Sequence, residues 1–312
     1  MVGPRRRAAR RVLGAALALT AGAALAACSS PHTAPVASTT HSDQRSPAVP
    51  SSRPLPNQTS PNQRPPTPRP SSRAATPPST IWHPSPGLTW QWQLTEPVDT
   101  TVDAQVYDID GADNSTDVVA TLHAADRKVI CYVNTGAYES FRADAGRFPT
   151  SVLGSPNGWP GERWLDIRQW RVLRPIMAAR FADCASKGFD AVEADNVDGY
   201  ENDSGFPLTA ADQLTYNRML AALAHDDHLA IGLKNDVDQV PDLLPDFDFA
   251  IDEQCVEYAE CGQLAPFTAA GKAVFHVEYS LPLSEFCPQT APLHFSSMKK
   301  NTALDAPRWP CP

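Results

Sequence analysis

Eight short apolar or alternating runs punctuate residues 88–279, and most end in polar side chains before a longer segment of helical spacing begins. The runs are 88–94, 105–110, 128–135, 163–167, 188–196, 229–235, 247–254 and 273–279, and they read as strands. Helical spacing falls at 116–126, 168–187, 209–227, 237–244 and 257–270, and Thr209 with Asp212 three residues later forms an N-cap pair. Strand–helix alternation with parallel crossovers gives either a closed (β/α)8 barrel or an open doubly wound sheet. No GxGxxG or GxxxxGK[ST] follows any run, so dinucleotide and P-loop folds lack support. Eight strands over residues 81–312 favour the (β/α)8 TIM barrel, an α/β fold. The first crossover, 95–104, is too short to hold a full helix.

The segment before these runs is a different polymer. Residues 1–80 carry ten Arg and one Asp, whereas the remainder has a net charge of −18 within a chain total of −9. Arg5, Arg6, Arg7, Arg10 and Arg11 precede an apolar stretch at 12–27, the pattern of a secretory signal. Leu25-Ala26-Ala27-Cys28 resembles a lipobox, so residues 1–27 are expected to be a lipoprotein signal peptide with Cys28 the lipidated residue. Arg10-Arg11-Val12-Leu13 also hints at twin-arginine export. Residues 31–80 hold thirteen Pro and sixteen Ser/Thr with no Phe, Trp or Tyr. Such a composition buries too little apolar surface to offset chain entropy, so 28–80 is expected to be a disordered Pro/Ser/Thr-rich tether. The protein is therefore read as exported, either cell-surface or secreted, touching a membrane only through lipid on Cys28. Nothing after the leader is apolar for long enough to span a bilayer.

Six cysteines remain in the domain, Cys131, Cys184, Cys255, Cys261, Cys287 and Cys311. An even count in an exported chain points to three disulfides among fifteen pairings. Proximity favours Cys255–Cys261 and Cys287–Cys311, which leaves Cys131–Cys184. No CxxC spacing supports zinc, and no metal or other cofactor is expected. The acidity of 81–312 disfavours nucleic acid as a partner, because it would repel a phosphate backbone; a neutral or cationic partner suits it.

In a (β/α)8 barrel the chemistry sits at the C-terminal strand ends. Here those ends carry Asp108 and Asp110, Asp166, Glu193 and Asp195, Lys234 with Asn235 and Asp236, Asp252 and Glu253, and Glu278. Alternation puts Glu193 and Asp195 on one face of their strand, and Glu253 at the end of the apolar stripe Phe247, Phe249, Ile251. A carboxylate closing an inward apolar stripe is costly unless solvated or used. Paired carboxylates across a pocket are what glycoside hydrolysis requires. Second-neighbour strands lie about 10 Å apart, and inward-leaning side chains would bring Asp195 and Glu253 to the about 5–6 Å of a retaining pair.

These residues resemble glycoside hydrolase family 114, the endo-α-1,4-polygalactosaminidases. The resemblance rests on Trp90-Gln91-Trp92-Gln93-Leu94, Val106-Tyr107-Asp108-Ile109-Asp110 and Cys131-Tyr132-Val133-Asn134-Thr135-Gly136, with Glu139 and Arg142. It continues through Trp159-Pro160-Gly161-Glu162-Arg163-Trp164-Leu165-Asp166-Ile167-Arg168 and the dense stretch from Gly188 to Tyr200. Asn202, Gly205-Phe206, Ile231-Gly232-Leu233-Lys234-Asn235 and Glu253-Gln254-Cys255 complete it. Gly111-Ala112 departs from the apolar pair expected after Asp110. The resemblance implies a metal-independent barrel that cuts α-1,4-linked galactosamine polymers internally, with Asp195 and Glu253 as its acids.

Galactosamine units carry amines that are cationic near neutral pH, and an acidic domain attracts such a chain. Asp108, Asp110, Asp166 and Glu193 are expected to hold amines or hydroxyls. Trp90, Trp92, Tyr132, Trp159 and Tyr200 are expected to stack on sugar faces or pack the core. Lys234 pairs with a carboxylate or touches a hydroxyl, with Asn235 beside it. Asp195, next to Asn196, is the expected nucleophile; Glu253, above apolar side chains, is the expected general acid/base. The protein is expected to act as a monomer. The alternative is a non-catalytic barrel that binds cationic polysaccharide. A calcium-dependent reading of Asp108–Asp113 fails the EF-hand template, since Gly111 comes early and no Glu closes the loop. No GxSxG supports a serine hydrolase.

Overall fold

The computed structural model describes residues 80–95 and 97–312; the leader, Cys28 and the tether short of Thr80 lie outside the described residues. β1 (Trp90–Gln93) and β2 (Val106–Asp110) lead to α1 (Thr116–Ala124) and β3 (Lys128–Asn134). Three short strands follow, β4 (Ala137–Glu139), β5 (Leu153–Pro156) and β6 (Glu162–Leu165), before the long α2 (Trp170–Lys187). Next come β7 (Ala191–Asp195), α3 (Ala210–Asp226), β8 (Ala230–Lys234), α4 (Val240–Leu243), β9 (Phe249–Glu253), α5 (Cys261–Ala269) and β10 (Val274–Glu278). The chain closes with α6 (Leu283–Thr290), β11 (Ser296–Lys300) and β12 (Arg308–Pro310).

The main sheet runs β1-β2-β3-β7-β8-β9-β10-β11-β12. Its first eight strands are parallel, and β12 returns antiparallel on β11. The sheet curls until its ends nearly meet. Trp90 Nε1 donates to Ser296 O at 2.8 Å, Arg308 donates to Trp90 O at 2.8 Å, and Leu94 N donates to Leu304 O at 3.0 Å. This is the expected (β/α)8 barrel, with one strand exchanged. The run 163–167 is not a barrel strand: β6 pairs antiparallel with β4 and β5 in a separate three-stranded sheet inserted between β3 and α2. The eighth parallel strand is β11, whose Ser-Ser-Met-Lys-Lys lacks an apolar run and is buried through specific partners. Lys300 Nζ donates to Asp305 O at 2.6 Å, and Ser297 Oγ meets His276 Nδ1 at 3.0 Å.

Local chemistry accounts for most helix ends. Thr209 and Asp212 form a reciprocal capping box at the start of α3, and Gly188 ends α2 in the left-handed region at φ +90°. The helix expected at 257–270 begins only at Cys261, because the Cys255–Cys261 disulfide closes the preceding turn. The described residues of the crossover, 95 and 97–104, carry no helix; Tyr107 Oη donates to Val102 O at 2.6 Å and Arg127 to Thr100 O at 3.0 Å, which ties the segment down. All three expected disulfides form, Cys131–Cys184 joining β3 to α2 and Cys287–Cys311 joining α6 to the residue after β12. Helices cover the outside of the barrel through Leu173, Phe181, Tyr216, Leu220 and Phe267. Inside, Trp90, Val106, Ile130, Phe249 and Phe275 form an apolar floor. Gly232, on β8, leaves room for the Phe249 ring, which lies 2.4 Å from where a Cβ would be.

Candidate active site

Strand register decides which side chains meet above that floor. Ile130 pairs with Ala191, Tyr132 with Glu193, and Asn134 with Asp195; Glu193 pairs with Gly232, and Lys234 with Ile251. Residues two apart on a strand share a face. Tyr132, Glu193, Asp195, Lys234 and Glu253 therefore rise from the interior at the C-terminal strand ends.

Lys234 is the hub. Its Nζ lies 3.0 Å from Asp195 Oδ1, 3.0 Å from Glu253 Oε2 and 3.3 Å from Glu193 Oε1, and it stands 4.9 Å over the Trp92 ring. The Asp195 and Glu253 oxygens are each 3.0 Å from one nitrogen, so the two cannot be further apart than twice that distance. The Lys234 side chain is 3% exposed, against 15% for Asp195 and 27% for Glu253, so the cation is sealed below while the two carboxylates open upward. Burial alone would lower the ammonium pKa; Asp195, Glu253 and Glu193 outweigh it and hold it well above the ordinary lysine value.

Two phenols brace the pair. Tyr132 Oη donates to Asp195 Oδ2 at 2.8 Å, and Tyr279 Oη donates to Glu253 Oε1. Burial first, and then the adjacent carboxylate, pushes each phenol well above its ordinary pKa, so both remain donors. Asn196 Nδ2 donates to Asp195 Oδ2 at 3.0 Å and to Asn134 Oδ1 at 3.0 Å. Asn235 Oδ1 accepts the Glu253 backbone N–H at 3.0 Å. Asn196, Asn235 and Gln254 directly follow Asp195, Lys234 and Glu253, and each is left-handed, at φ 60°, 52° and 68°. Strained backbone of this kind concentrates at functional sites. Glu278 faces away from the interior; its Oε1 accepts the Val256 N–H at 2.9 Å and so secures the loop after β9.

Several expected contacts lie elsewhere. Trp90 belongs to the barrel floor at 2% exposure, out of reach of a sugar. Asp108 and Glu193 are fully buried beneath the mouth, so neither holds an amine or hydroxyl of a bound sugar. Asp110 is engaged by Arg142, whose Nη1 donates to Oδ1 at 3.0 Å. Asp166 follows β6, outside the barrel sheet, and is paired with Arg168 at 2.7 Å. Trp159 is 48% exposed in the β5–β6 turn, and half-buried Tyr200 donates to Glu201 Oε1 at 2.9 Å. Cys255, Cys261 and His276 cluster, but the two sulfurs are bonded to each other and offer no thiolates.

Tyr279, Asn134 and Glu162 were not singled out for the site by sequence reasoning. Glu162 Oε2 accepts from Asn134 Nδ2 at 3.0 Å and from Asn157 Nδ2 at 2.8 Å, which joins the β5–β6 hairpin to Asp195 through Asn134 and Asn196. Burial, and secondarily the Asp195 charge, raises its pKa. Inward alternation from Phe275 through Val277 points to Tyr279, and it is the one signal that would have found it.

Residues 71–311 match the model of glycoside-hydrolase family GH114. This chain belongs to that family. The GH114 chain is similar to Aspergillus fumigatus Ega3, solved in complex with galactosamine, at 39% identity and TM-score 0.70, over 74% of this chain and 98% of that one. The glycoside hydrolase domain of PelA from Pseudomonas aeruginosa shares the fold, at 14% identity and TM-score 0.55, over 70% of this chain and 96% of that one. No curated protein matches. The GH114 chain is thus a glycosidase, and the alternative of a non-catalytic binding barrel falls away. Among the described residues no helix is long and apolar enough to cross a membrane.

Proposed function

We propose that this GH114 enzyme cleaves α-1,4-linked galactosamine-containing polysaccharide within the chain by a retaining mechanism, with Asp195 as nucleophile and Glu253 as general acid/base. One observation carries the reading: carboxylates from β7 and β9 meet on a single ammonium at the barrel mouth. Twice the 3.0 Å contact falls short of the roughly 6.5 Å at which inverting pairs begin. Asp195 takes three donors, from Tyr132, Lys234 and Asn196, which favours a fixed anion. Glu253 takes two and is the more exposed, which suits a group that trades protons with a leaving oxygen and with water. Glu253 protonates the glycosidic oxygen as Asp195 attacks the anomeric carbon. It then takes a proton from water, whose oxygen displaces Asp195 and regenerates both groups.

Galactosamine as the repeating unit is supported by the galactosamine bound to Ega3 and by the −18 net charge of residues 81–312. Trp159, Tyr200 and Glu162 are assigned to flanking sugars. Export, a lipid anchor on Cys28, the tether over 28–80 and a monomeric state complete the proposal. Product analysis by mass spectrometry on defined hexosamine polymers tests it. Internal oligomers from the galactosamine polymer support the substrate, and their absence removes it. Full activity in folded Asp195→Asn or Glu253→Gln removes that residue from the chemistry.

A further inference from the structure

Four carboxylates, those of Asp108, Glu193, Asp195 and Glu253, face the barrel interior around Lys234, which is the one cation among the described residues within 4.0 Å of any of them. The other titratable groups packed against them are the phenols of Tyr132 and Tyr279, both held neutral. Asp195 and Glu253 reach solvent and have hydroxyl donors. Asp108 and Glu193 have neither. Both are 0% exposed, and apart from the Lys234 ammonium beside Glu193 none of their four oxygens has a donor among the described residues. Two facing anions without donors in a dry interior are prohibitively costly, whereas one proton between them turns repulsion into a charge-assisted hydrogen bond. Lys234 decides where that proton rests. Its Nζ is 3.3 Å from Glu193 Oε1, and no cation lies within 4.0 Å of Asp108.

We infer that Asp108 and Glu193 form a buried carboxylic acid–carboxylate pair in which Asp108 donates its proton to Glu193, and that Glu193 holds Lys234 Nζ at the height where it bridges Asp195 and Glu253. Both are positioning residues, and the inference rests on Asp195 and Glu253 being the reacting pair. Burial first, and then the Glu193 charge, drives the Asp108 carboxyl far above the ordinary carboxylate range. Burial also raises Glu193, while Lys234 pulls it back down. The proton is thus part of the architecture: when it leaves at high pH, Glu193 loses its donor and Lys234 gains a competing anion.

Asp108→Asn tests this in the full-length enzyme, because an amide donates permanently where the carboxyl donates only when protonated. The expected kcat is within about 3-fold of wild type, with the alkaline limb of kcat/KM moved up by about one pH unit or more. Asp108→Ala, with no donor, is expected to lose kcat at least about 10-fold at nearly unchanged KM, a loss that Asn repairs. An Asn variant as impaired as Ala, or one with the wild-type alkaline limb, overturns the inference. Infrared spectroscopy gives a readout independent of turnover. The background is Asp236→Asn, which removes a second buried carboxyl that holds its proton near that pH. In it the carbonyl stretch of a buried protonated carboxyl is expected at about pH 8, far above an ordinary Asp; it is expected to persist when Asp195→Asn is added and to vanish when Asp108→Asn is added. Its absence from that background overturns the pair. Activity surviving in Asp195→Asn alongside that band overturns only the underlying catalytic assignment.

Discussion

Asp195 and Glu253 each place one carboxylate oxygen 3.0 Å from the same nitrogen, Nζ of Lys234. Without that cation nothing offsets the repulsion between the two carboxylates at the barrel mouth. Lys234→Met preserves the length of the side chain and removes only its charge. The expected outcome is a fall in kcat of about 100-fold or more, with stability lowered by about 3–5 kcal/mol for a broken buried ion pair. Paired measurements of kcat and denaturant midpoint check this. A variant with wild-type turnover would show the bridge to be structural only.

The two phenols separate the roles of the two acids. Tyr132→Phe removes one donor from Asp195, and Tyr279→Phe one donor from Glu253, each at nearly constant volume. A hydrogen bond to a charged group contributes about 1.5–3 kcal/mol, so each variant is expected to lose about 10- to 150-fold in kcat/KM. Only Tyr279→Phe is expected to shift the limb of the pH profile that reports the general acid. If Tyr132→Phe shifts it instead, nucleophile and acid/base exchange places.

The barrel and the strands that carry Asp195 and Glu253 were legible because parallel strands buried on both faces read as compact apolar runs, and because period-two alternation fixes which side chains look inward. Alternation put Glu193 and Asp195 on one face and left Glu253 at the head of Phe249 and Ile251, as the structure has them. It carries no information about strand partners. Residues 163–167 look like a barrel strand and pair as an antiparallel insert, while β11 is buried by polar contacts that no hydropathy pattern announces. Depth is equally silent in sequence. Asp108 and Glu193 are acids on the same inward faces as Asp110 and Asp195, yet each stands two residues earlier on its strand, one layer lower, with no access to solvent.

The same difference in depth separates two tryptophans. Trp159 is 48% exposed on the β5–β6 turn, whereas Trp90 is 2% exposed in the barrel floor. Trp159→Ala is expected to raise KM for the polymer several-fold and to leave the melting temperature unchanged. Trp90→Ala is expected to cost about 3–5 kcal/mol through the cavity it leaves. Substrate titration and chemical denaturation of both variants distinguish the effects. Equal loss of stability in the two would place Trp159 in the core.

Glu162 links the hairpin to Asp195 through Asn134 and Asn196 and has no cation within salt-bridge distance among the described residues. In the proposed function a substrate ammonium supplies the missing charge, so Glu162→Gln is expected to raise KM for a free-amine polymer by about 10-fold, as one charged hydrogen bond is lost, and to leave an N-acetylated polymer unaffected. Competition between the two polymers measures that difference. An equal penalty on both would limit Glu162 to bracing the hairpin.

Asp236 links protonation to stability. It is 1% exposed, and burial, with Asp198 and Glu201 adding to it, raises its pKa from 3.8 to about 9. Between those values the unfolded chain has released the proton while the folded chain keeps it. The unfolded state then binds fewer protons, so stability declines as pH rises through that window and levels off above about 9. Asp236→Asn removes the titration, keeps an acceptor for Asn217 Nδ2, which now stands 2.9 Å away, and places a residue tolerant of left-handed backbone at φ 37°. At acid pH the two proteins are expected to melt alike. Near pH 8 the variant is expected to melt higher by at least about 3 °C, since 1 kcal/mol moves a domain of this size by about 2–4 °C. Thermal melts across the pH series decide it: parallel curves for the two proteins would mean that Asp236 is charged in the folded state.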